Sequence, residues 1–403
     1  VVVLAQDLPY PAHRGGRADV WRRILAMRQF GHQVFLIDCH EAAGPLAPRP
    51  QDLAHIDGVV QGRFSLRMQR GAGRTLRQLP MLWHTPWHAA NRVPPASVRD
   101  ELLRRLTDFS PDLLWLEGPW FGRLALQLAT AGGWPMAYRS HNVEHLYLRR
   151  QAAAARSLRD RLAWGVASIG VQRFEWGLMQ VAASVFDISL DDLSFWQKGG
   201  LRHGHWLPPL PQAAVEPSTE AVVASDLLFL GNLATPNNVN GVRFLVQQVM
   251  PLLRKVRPTL RLAIVGSNPG VALRAELVAA TGVDLYLDEP DPIRHLQGAR
   301  VLVNPVMTGS GVQLKTLDML MTDAPIVTTV QGTRGLPTDL VSTMIQAEGA
   351  EGLAEAVGRA LMAPLGPDQR NARAEARARF GPAAVDQALQ TAMVAASQRL
   401  SRA

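Results

Sequence analysis

The residues with the greatest capacity for chemistry lie in one segment, Val301–Thr329, which reads VLVNPVMTGSGVQLKTLDMLMTDAPIVTT. An apolar strand pattern runs into Pro305, then into Gly309, Ser310 and Gly311, then into a helix expected over Val312–Met321. A glycine turn before a helix start aims several backbone N–H groups and the positive helix end at one point, which suits an anion. Residues Thr308, Gly309, Ser310, Gly311 and Val312 are the candidates for that cradle. Lys315 falls in the first turn of the helix and supplies a mobile cation suited to a diphosphate. It is one of three lysines, with Lys198 and Lys255. Asp318 lies one turn further on, on a neighbouring face, and its carboxylate can accept both hydroxyls of a ribose diol. A lysine–aspartate surface pair explains the two charges equally well, but not the glycine turn.

Three further segments have the same form of a strand followed by a special loop. Leu227–Asn240 (LLFLGNLATPNNVN) places Gly231 and Asn232 where backbone can approach closely, with Asn237 and Asn238 as ligand contacts or helix caps. Gln6–Arg17 (QDLPYPAHRGGR) ends in the pair Gly15 and Gly16 just before a helix, where main-chain N–H groups can meet a phosphate. Tyr138–Glu144 (YRSHNVE) puts His141 at the carboxyl end of a strand, as a donor to a sugar hydroxyl or phosphate, as a base, or as a structural histidine. Glu144 with Arg149 or Arg150 reads equally as an exposed helix pair. Neither the GxGxxG fingerprint nor a GKS/GKT phosphate loop is present. No acidic cluster with metal-ligand spacing stands out, so no metal and no cofactor are expected.

Positioning these loops requires alternating strands and helices. Apolar runs at Val1–Ala5, Val34–Asp38, Leu113–Glu117, Met136–Ser140 and Val185–Ile188 read as buried parallel strands, and Ala18–Phe30 has a helical period closed by Gly31. Leu207–Ser218 (LPPLPQAAVEPS) has four prolines and no period, so it reads as a linker. The alternation then restarts at Leu227–Leu230, Leu260–Val265, Val283–Leu287, Arg300–Val303 and Ile326–Thr329, with helices such as Gly241–Lys255 between, and the chain ends in an Ala- and Arg-rich helical stretch from about Asp368 to Arg402. The expectation is an α/β protein of two domains, residues 1–208 and 219–370, followed by C-terminal helices over 371–403. A length of 403 residues suits two cores better than one.

Taken together and in this order, DLPYPAHRGG, YRSHNVE, LLFLGNLATPNNVNGVRFLVQQVMPLLRK, IVGSNP and VNPVMTGSGVQLKTLDMLMTDAPIVTTVQGTRGL resemble the retaining glycosyltransferase family 4, in particular a subgroup with a GSG-x-x-x-K pattern. The resemblance spans nearly the whole chain. It implies the GT-B fold: two Rossmann-like domains facing a deep cleft, with the last helix crossing back to the first domain. It also implies transfer of a sugar from a nucleotide diphosphate sugar, with retention and without a metal, to a carbohydrate or lipid-linked acceptor in bacterial polysaccharide or glycoconjugate assembly. Carried over by position, Gly16 approaches the donor phosphates and His141 faces the transferred sugar. Lys315 and the Gly309–Val312 turn hold the diphosphate, and Asp318 binds the ribose. Two features depart from the family pattern: Asp318 stands where a glutamate is usual, and GNLATPNN replaces the usual Arg/Lys pair after the first strand of the second domain. A catalytically silent partner subunit, or a phosphorylase or epimerase on the same fold, is the alternative.

The net charge of +8 is carried by residues 1–210, with 25 basic against 17 acidic residues, while residues 211–403 are balanced at 17 against 17. A basic first half suits an anionic lipid surface or a diphosphate-bearing acceptor, or is no more than a set of solvated arginine-rich faces. Nucleic acid is not expected, since no binding motif accompanies the charge. Arg70–Arg92, with Trp83 and Trp87, and Leu148–Trp164, with Arg149, Arg150, Arg156, Arg159 and Arg161, combine basic and apolar residues in the manner of a membrane interface or of core packing. Cys39 is the single cysteine, which excludes an internal disulfide and fits a reducing compartment. The opening VVVLAQ reads as a buried strand rather than a secretory leader. A cytoplasmic protein, peripheral at the inner face of the plasma membrane, is the expected setting.

Overall fold

A computed structural model describes residues 1–12, 15–41, 47–68, 81, 84–155, 157–308 and 312–401. It divides into two compact units, Val1–Pro208 with Pro382–Ala403, and Pro209–Gly381.

The first unit is built on β1 (Val2–Ala5), β2 (Phe35–Glu41), β3 (Gly62–Met68), β4 (Leu114–Glu117), β5 (Met136–Ser140), β6 (Ser184–Asp187) and β7 (Gly204–Trp206). The sheet order is β3-β2-β1-β4-β5-β6-β7, and every neighbouring pair is parallel. β1, β4, β5 and β6 are buried along their whole length, which is why they read as apolar runs, with the buried polar residues of β4, β5 and β6 at or near their ends. The second unit repeats the plan with β8 (Ser225–Asn232), β9 (Leu262–Ser267), β10 (Val283–Leu287), β11 (Ala299–Asn304), β12 (Ile326–Thr328) and β13 (Ile345–Gln346), in the order β10-β9-β8-β11-β12-β13. Each sheet reverses direction beside its first strand, between β1 and β4 and between β8 and β11. In doubly wound sheets, ligands bind at the carboxyl ends of the strands flanking that point.

Three strands are absent from the sequence reading: β3, β7 and β13. All three sit at the edge of a sheet. Such strands are short or alternate with polar residues, as GRFSLRM does, and show no apolar run. The expected helix Gly241–Lys255 is instead Pro236–Phe244, a π-turn at Leu245–Val249, then Met250–Val256. The irregularity falls where Pro251 has no N–H to give to the preceding turn.

Helix α1 (Gly15–Gln29) covers the first sheet, and the C-terminal helix Ala383–Leu400 packs in the same unit against α1, β5 and β6. His32 Nε2 meets Asp386 Oδ1 at 2.7 Å, and Arg399 donates to the Val181 carbonyl at 3.0 Å. The preceding helix, Pro367–Ala378, stays with the second unit. Arg373 donates to the Thr343 carbonyl at 2.8 Å, and Arg377 to the Leu320 carbonyl at 2.7 Å. Among the described residues no helix is long and apolar enough to cross a membrane.

Candidate active site

In the second unit, the loops leaving β8 and β11 meet around Lys315. Helix α2 (Pro236–Phe244) is capped by Thr235 with Pro236 in its first turn, so Asn237 and Asn238 are helical residues and not caps. Asn238 instead ties the loop together. Its Nδ2 donates to the Asn232 carbonyl at 2.9 Å, and its Oδ1 accepts from Lys315 Nζ at 2.6 Å. Gly231 is not a turn residue: it lies within β8, next to its last residue, pairing with Gly266, and a Cβ there would stand 3.0 Å from the Asn238 amide. The missing side chain is what lets Asn238 lie against the strand. Asn232 Oδ1 accepts from Ala234 N–H at 2.9 Å, and exposed Thr308 donates to Asn237 Oδ1 at 3.1 Å. Gly309, Ser310 and Gly311 lie outside the described residues, and half-buried Val312 follows them.

Lys315 is the decisive group. It sits in helix α3 (Leu314–Leu320), is 8% exposed, and its Nζ lies 4.8 Å from the centre of the Phe229 ring. Among the described residues no carboxylate comes within ion-pair reach. Burial alone lowers its pKa to about 7. A buried ammonium without a countercharge is costly, and an arriving diphosphate would supply one. The surface Lys315–Asp318 pair is therefore not formed. Asp318 is itself buried, and its Oδ1 accepts from the Gln212 N–H at 2.7 Å. Helix α3 is only two turns long, so the lysine, rather than the helix dipole, carries most of the positive field here. Asn304 at the end of β11 donates to Thr316 Oγ1 at 2.9 Å, and Thr316 donates to the Gly332 carbonyl at 2.8 Å, which fixes the helix against the sheet. A Cβ at Gly332 would fall 2.0 Å from Thr328 Oγ1.

In the first unit, the switch point holds a buried ionic cluster. Gly15 and Gly16 lie in the first turn of α1 rather than in the loop before it, exposed, with open space where a Gly16 Cβ would be. On the inner face of α1, Arg23 donates to Asp19 at 2.5 Å and to Glu117, at the end of β4, at 2.8 Å. Trp115 Nε1 also donates to Glu117, at 2.9 Å. Arg139 approaches Asp19 at 3.5 Å and donates to the Leu207 carbonyl. His141 completes the group, with Nε2 2.7 Å from Glu117 and Nδ1 3.5 Å from Asp19. Burial would raise both acids, but Arg23 together with His141, and for Asp19 Arg139 as well, outweighs it, holding Asp19 well below the carboxylate range and Glu117 at about 2. Asp19, Glu117 and His141 offer ligand atoms within 4.8 Å of one another, a spacing that can hold a metal ion. The guanidinium of Arg23, bonded to both carboxylates, already provides the countercharge a cation would bring.

Glu144 is not an exposed helix residue. It is buried, at the start of the helix Glu144–Ala154, whose first N–H groups are capped by Glu175: Oε1 accepts from Glu144 N–H at 3.1 Å, and Oε2 from His145 N–H at 3.3 Å. Burial, with Glu175 nearby, raises Glu144 to about 8, and burial raises Glu175 to about 8 against those two bonds. Acids whose folded pKa is raised contribute stability that is complete below about pH 4 and lost as pH climbs through about 8. Glu144→Gln is therefore expected to melt roughly 10 °C higher than wild type at about pH 9, with the difference shrinking to little at about pH 4. Equal differences at both pH values, in calorimetry of the first unit's transition, would contradict this.

Residues 224–363 match a protein-family model described as glycosyl transferases group 1. That match covers about a third of the chain and lies within the second unit, so this part of the protein is similar to the group 1 glycosyltransferases. The chain is 25% identical over 349 residues to a "44.6 kDa protein in cps region" of Klebsiella pneumoniae, covering 84% of this chain and 85% of that one. Its fold is similar to HepE of Anabaena in complex with UDP and glucose, with a TM-score of 0.60, 12% identity, and 96% and 97% of the two chains covered. It is also similar to the sucrose-phosphate synthase of Thermosynechococcus elongatus, at TM-score 0.60, 15% identity, and 100% and 99% covered. WaaG, a glycosyltransferase involved in lipopolysaccharide biosynthesis, matches at TM-score 0.54 and 14% identity, with 94% and 95% covered. The two parallel Rossmann-like sheets are thus those of the GT-B fold.

The sequence reading missed Asp19, Arg23, Glu117, Arg139 and Phe229. Asp19 and Arg23, four apart on the face of α1 that also carries Val20, Ile24 and Met27, were the available signal: charges interleaved with a buried stripe need partners.

Proposed function

We propose that the chain is a retaining, metal-independent hexosyltransferase that takes its sugar from a nucleotide diphosphate donor and serves polysaccharide or glycoconjugate assembly. One observation carries the donor reading: Lys315, buried and without a carboxylate partner, at the carboxyl edge of the second sheet's switch point. The binding of UDP and of UDP-glucose by HepE supports it, as do the cps region of the Klebsiella relative and the lipopolysaccharide role of WaaG.

Breaking the sugar–phosphate bond moves negative charge onto the leaving diphosphate, and a desolvated cation beside it lowers that barrier. Lys315 is the cation. In the second unit Gly231, Asn232, Asn237, Thr308 and Val312 are the neighbours we assign to the diphosphate, while Gly15 and Gly16 in the first turn of α1 are exposed. Asp318, whose Oδ1 accepts from the Gln212 N–H, is the carboxylate we assign to the ribose diol. In the first unit, Glu117 fixes the His141 ring through Nε2. Nδ1 is in the longer contact, 3.5 Å from Asp19, so His141 is held by both buried carboxylates and is the residue we assign to sugar recognition in the first unit. The leaving phosphate takes the acceptor proton on the same face, so retention needs no protein base. A carbohydrate or lipid-linked acceptor fits the basic first half.

Because Lys315 titrates near 7 when free, a bound diphosphate raises its pKa and binding takes up a proton. Donor affinity is expected to fall above about pH 7, by at most roughly tenfold per pH unit. Calorimetry of UDP-sugar, GDP-sugar and ADP-sugar binding in buffers of different ionisation enthalpy reads the proton directly. A pH-independent affinity for the bound nucleotide sugar would sink the assignment.

A further inference from the structure

Among the described residues of the first unit, the helix Leu158–Ser168 turns large apolar residues outward in a row. Leu158, Leu162, Val166 and, just past its end, Ile169 are 76%, 69%, 62% and 68% exposed. Isolated exposed apolar residues are ordinary, but four on one face of a helix with a single buried residue, Ala167, are not. At about 100° per residue the row fills an arc of about 80°, Arg161 lies about 60° to one side, Arg159 about 20° beyond the other, and Asp160 falls opposite. Asp160 is taken up by the helix cap, accepting from Ser157 Oγ at 2.7 Å. Arg149 and Arg150 on the preceding helix and Arg173 on the following one are also exposed. Among the described residues none of these five arginines makes an ion pair.

We propose that this helix is a membrane-seating element that lies in the surface of an anionic bilayer, its leucine–valine–isoleucine row among the acyl chains and its arginines on lipid phosphates. The charge pattern selects that occupant. A second copy docked by a twofold axis through this row would bring like-charged arginines together, whereas anionic headgroups beside an apolar layer satisfy both parts of the face. With 11 residues the helix is about 16 Å long, so it rests on the bilayer and does not span it. The element needs no turnover, so it stands apart from the donor reading.

The test is co-sedimentation of the full chain with phosphatidylcholine vesicles, with or without phosphatidylglycerol, at low and high salt. Wild type is expected to bind only the anionic vesicles and to release in high salt. Arg159→Gln with Arg161→Gln is expected to weaken binding by roughly 10–30-fold, and Leu162→Glu with Val166→Glu to abolish it. All are exposed, so the melting temperature and nucleotide affinity should not move. Equal binding to neutral vesicles, no binding by wild type at low salt, or unchanged binding by both variants would overturn the proposal. So would a wild-type dimer that Leu162→Glu with Val166→Glu makes monomeric.

Discussion

Replacing Lys315 with methionine is expected to lower donor turnover by about 10²–10³-fold while leaving the chain folded. Methionine keeps the length and apolar stem of the side chain against the Phe229 ring and removes only the ammonium. The cost to folding is small because the ammonium is already disfavoured by burial and has no carboxylate to strand. What is lost is the charge that meets the leaving diphosphate. Sugar release from the preferred nucleotide sugar, followed with saturating donor, reads the effect on kcat. Lys255→Met, at an exposed position, should leave the rate unchanged. Equal rates for Lys315→Met and wild type would remove Lys315 from the mechanism.

Arg23→Met is expected to have the largest effect on stability, about 3–5 kcal/mol. Arg23 bonds two buried carboxylates at once, and no water can replace it: Asp19, Arg23 and Glu117 are each 1% exposed. For a unit of this size the loss corresponds to a melting temperature lower by about 6–20 °C. Its pH dependence has a definite sign. In wild type both acids are held below their unfolded values, so their contribution is present above about pH 4 and lost on acidification. In the variant the stranded carboxylates must protonate, so the gap between the two proteins should narrow as pH falls towards about 4. A melting difference of the same size at neutral and acid pH, or none, would show that the cluster does not act as an ionic unit.

The sheet cores were legible because fully buried parallel strands such as VVLA and LWLE are apolar, apart from the glutamate at the carboxyl end of LWLE. The edge strands β3, β7 and β13 were not, because they are short or interleaved with polar residues, whereas the edge strand β10 (VDLYL) kept a readable pattern. The same distinction governs the site. Lys315 stands out as a scarce residue after a glycine turn, and the family resemblance drew attention to Asp318 and His141. Burial was hidden. Nothing in LKTLDML says that the lysine is desolvated while the aspartate is bonded to a backbone amide over a hundred residues away in sequence, at Gln212. Asn237 and Asn238 look alike in sequence, yet only Asn238 bonds the lysine, because Gly231 leaves space on its side. Arg23, Glu117 and His141 come from three separate elements, and only the β1–β4–β5 order of the sheet brings them together.

Calorimetric titration of UDP, GDP, ADP and dTDP into the wild-type chain and into Lys315→Met addresses the central claim most directly. The account predicts that one nucleotide diphosphate binds wild type clearly more tightly than the other three, with proton uptake above about pH 7, and that the methionine variant binds it at least about tenfold more weakly and without the proton. Binding of that nucleotide with the same affinity and the same proton uptake by both proteins, or no binding of any of the four by the folded wild type, would contradict it.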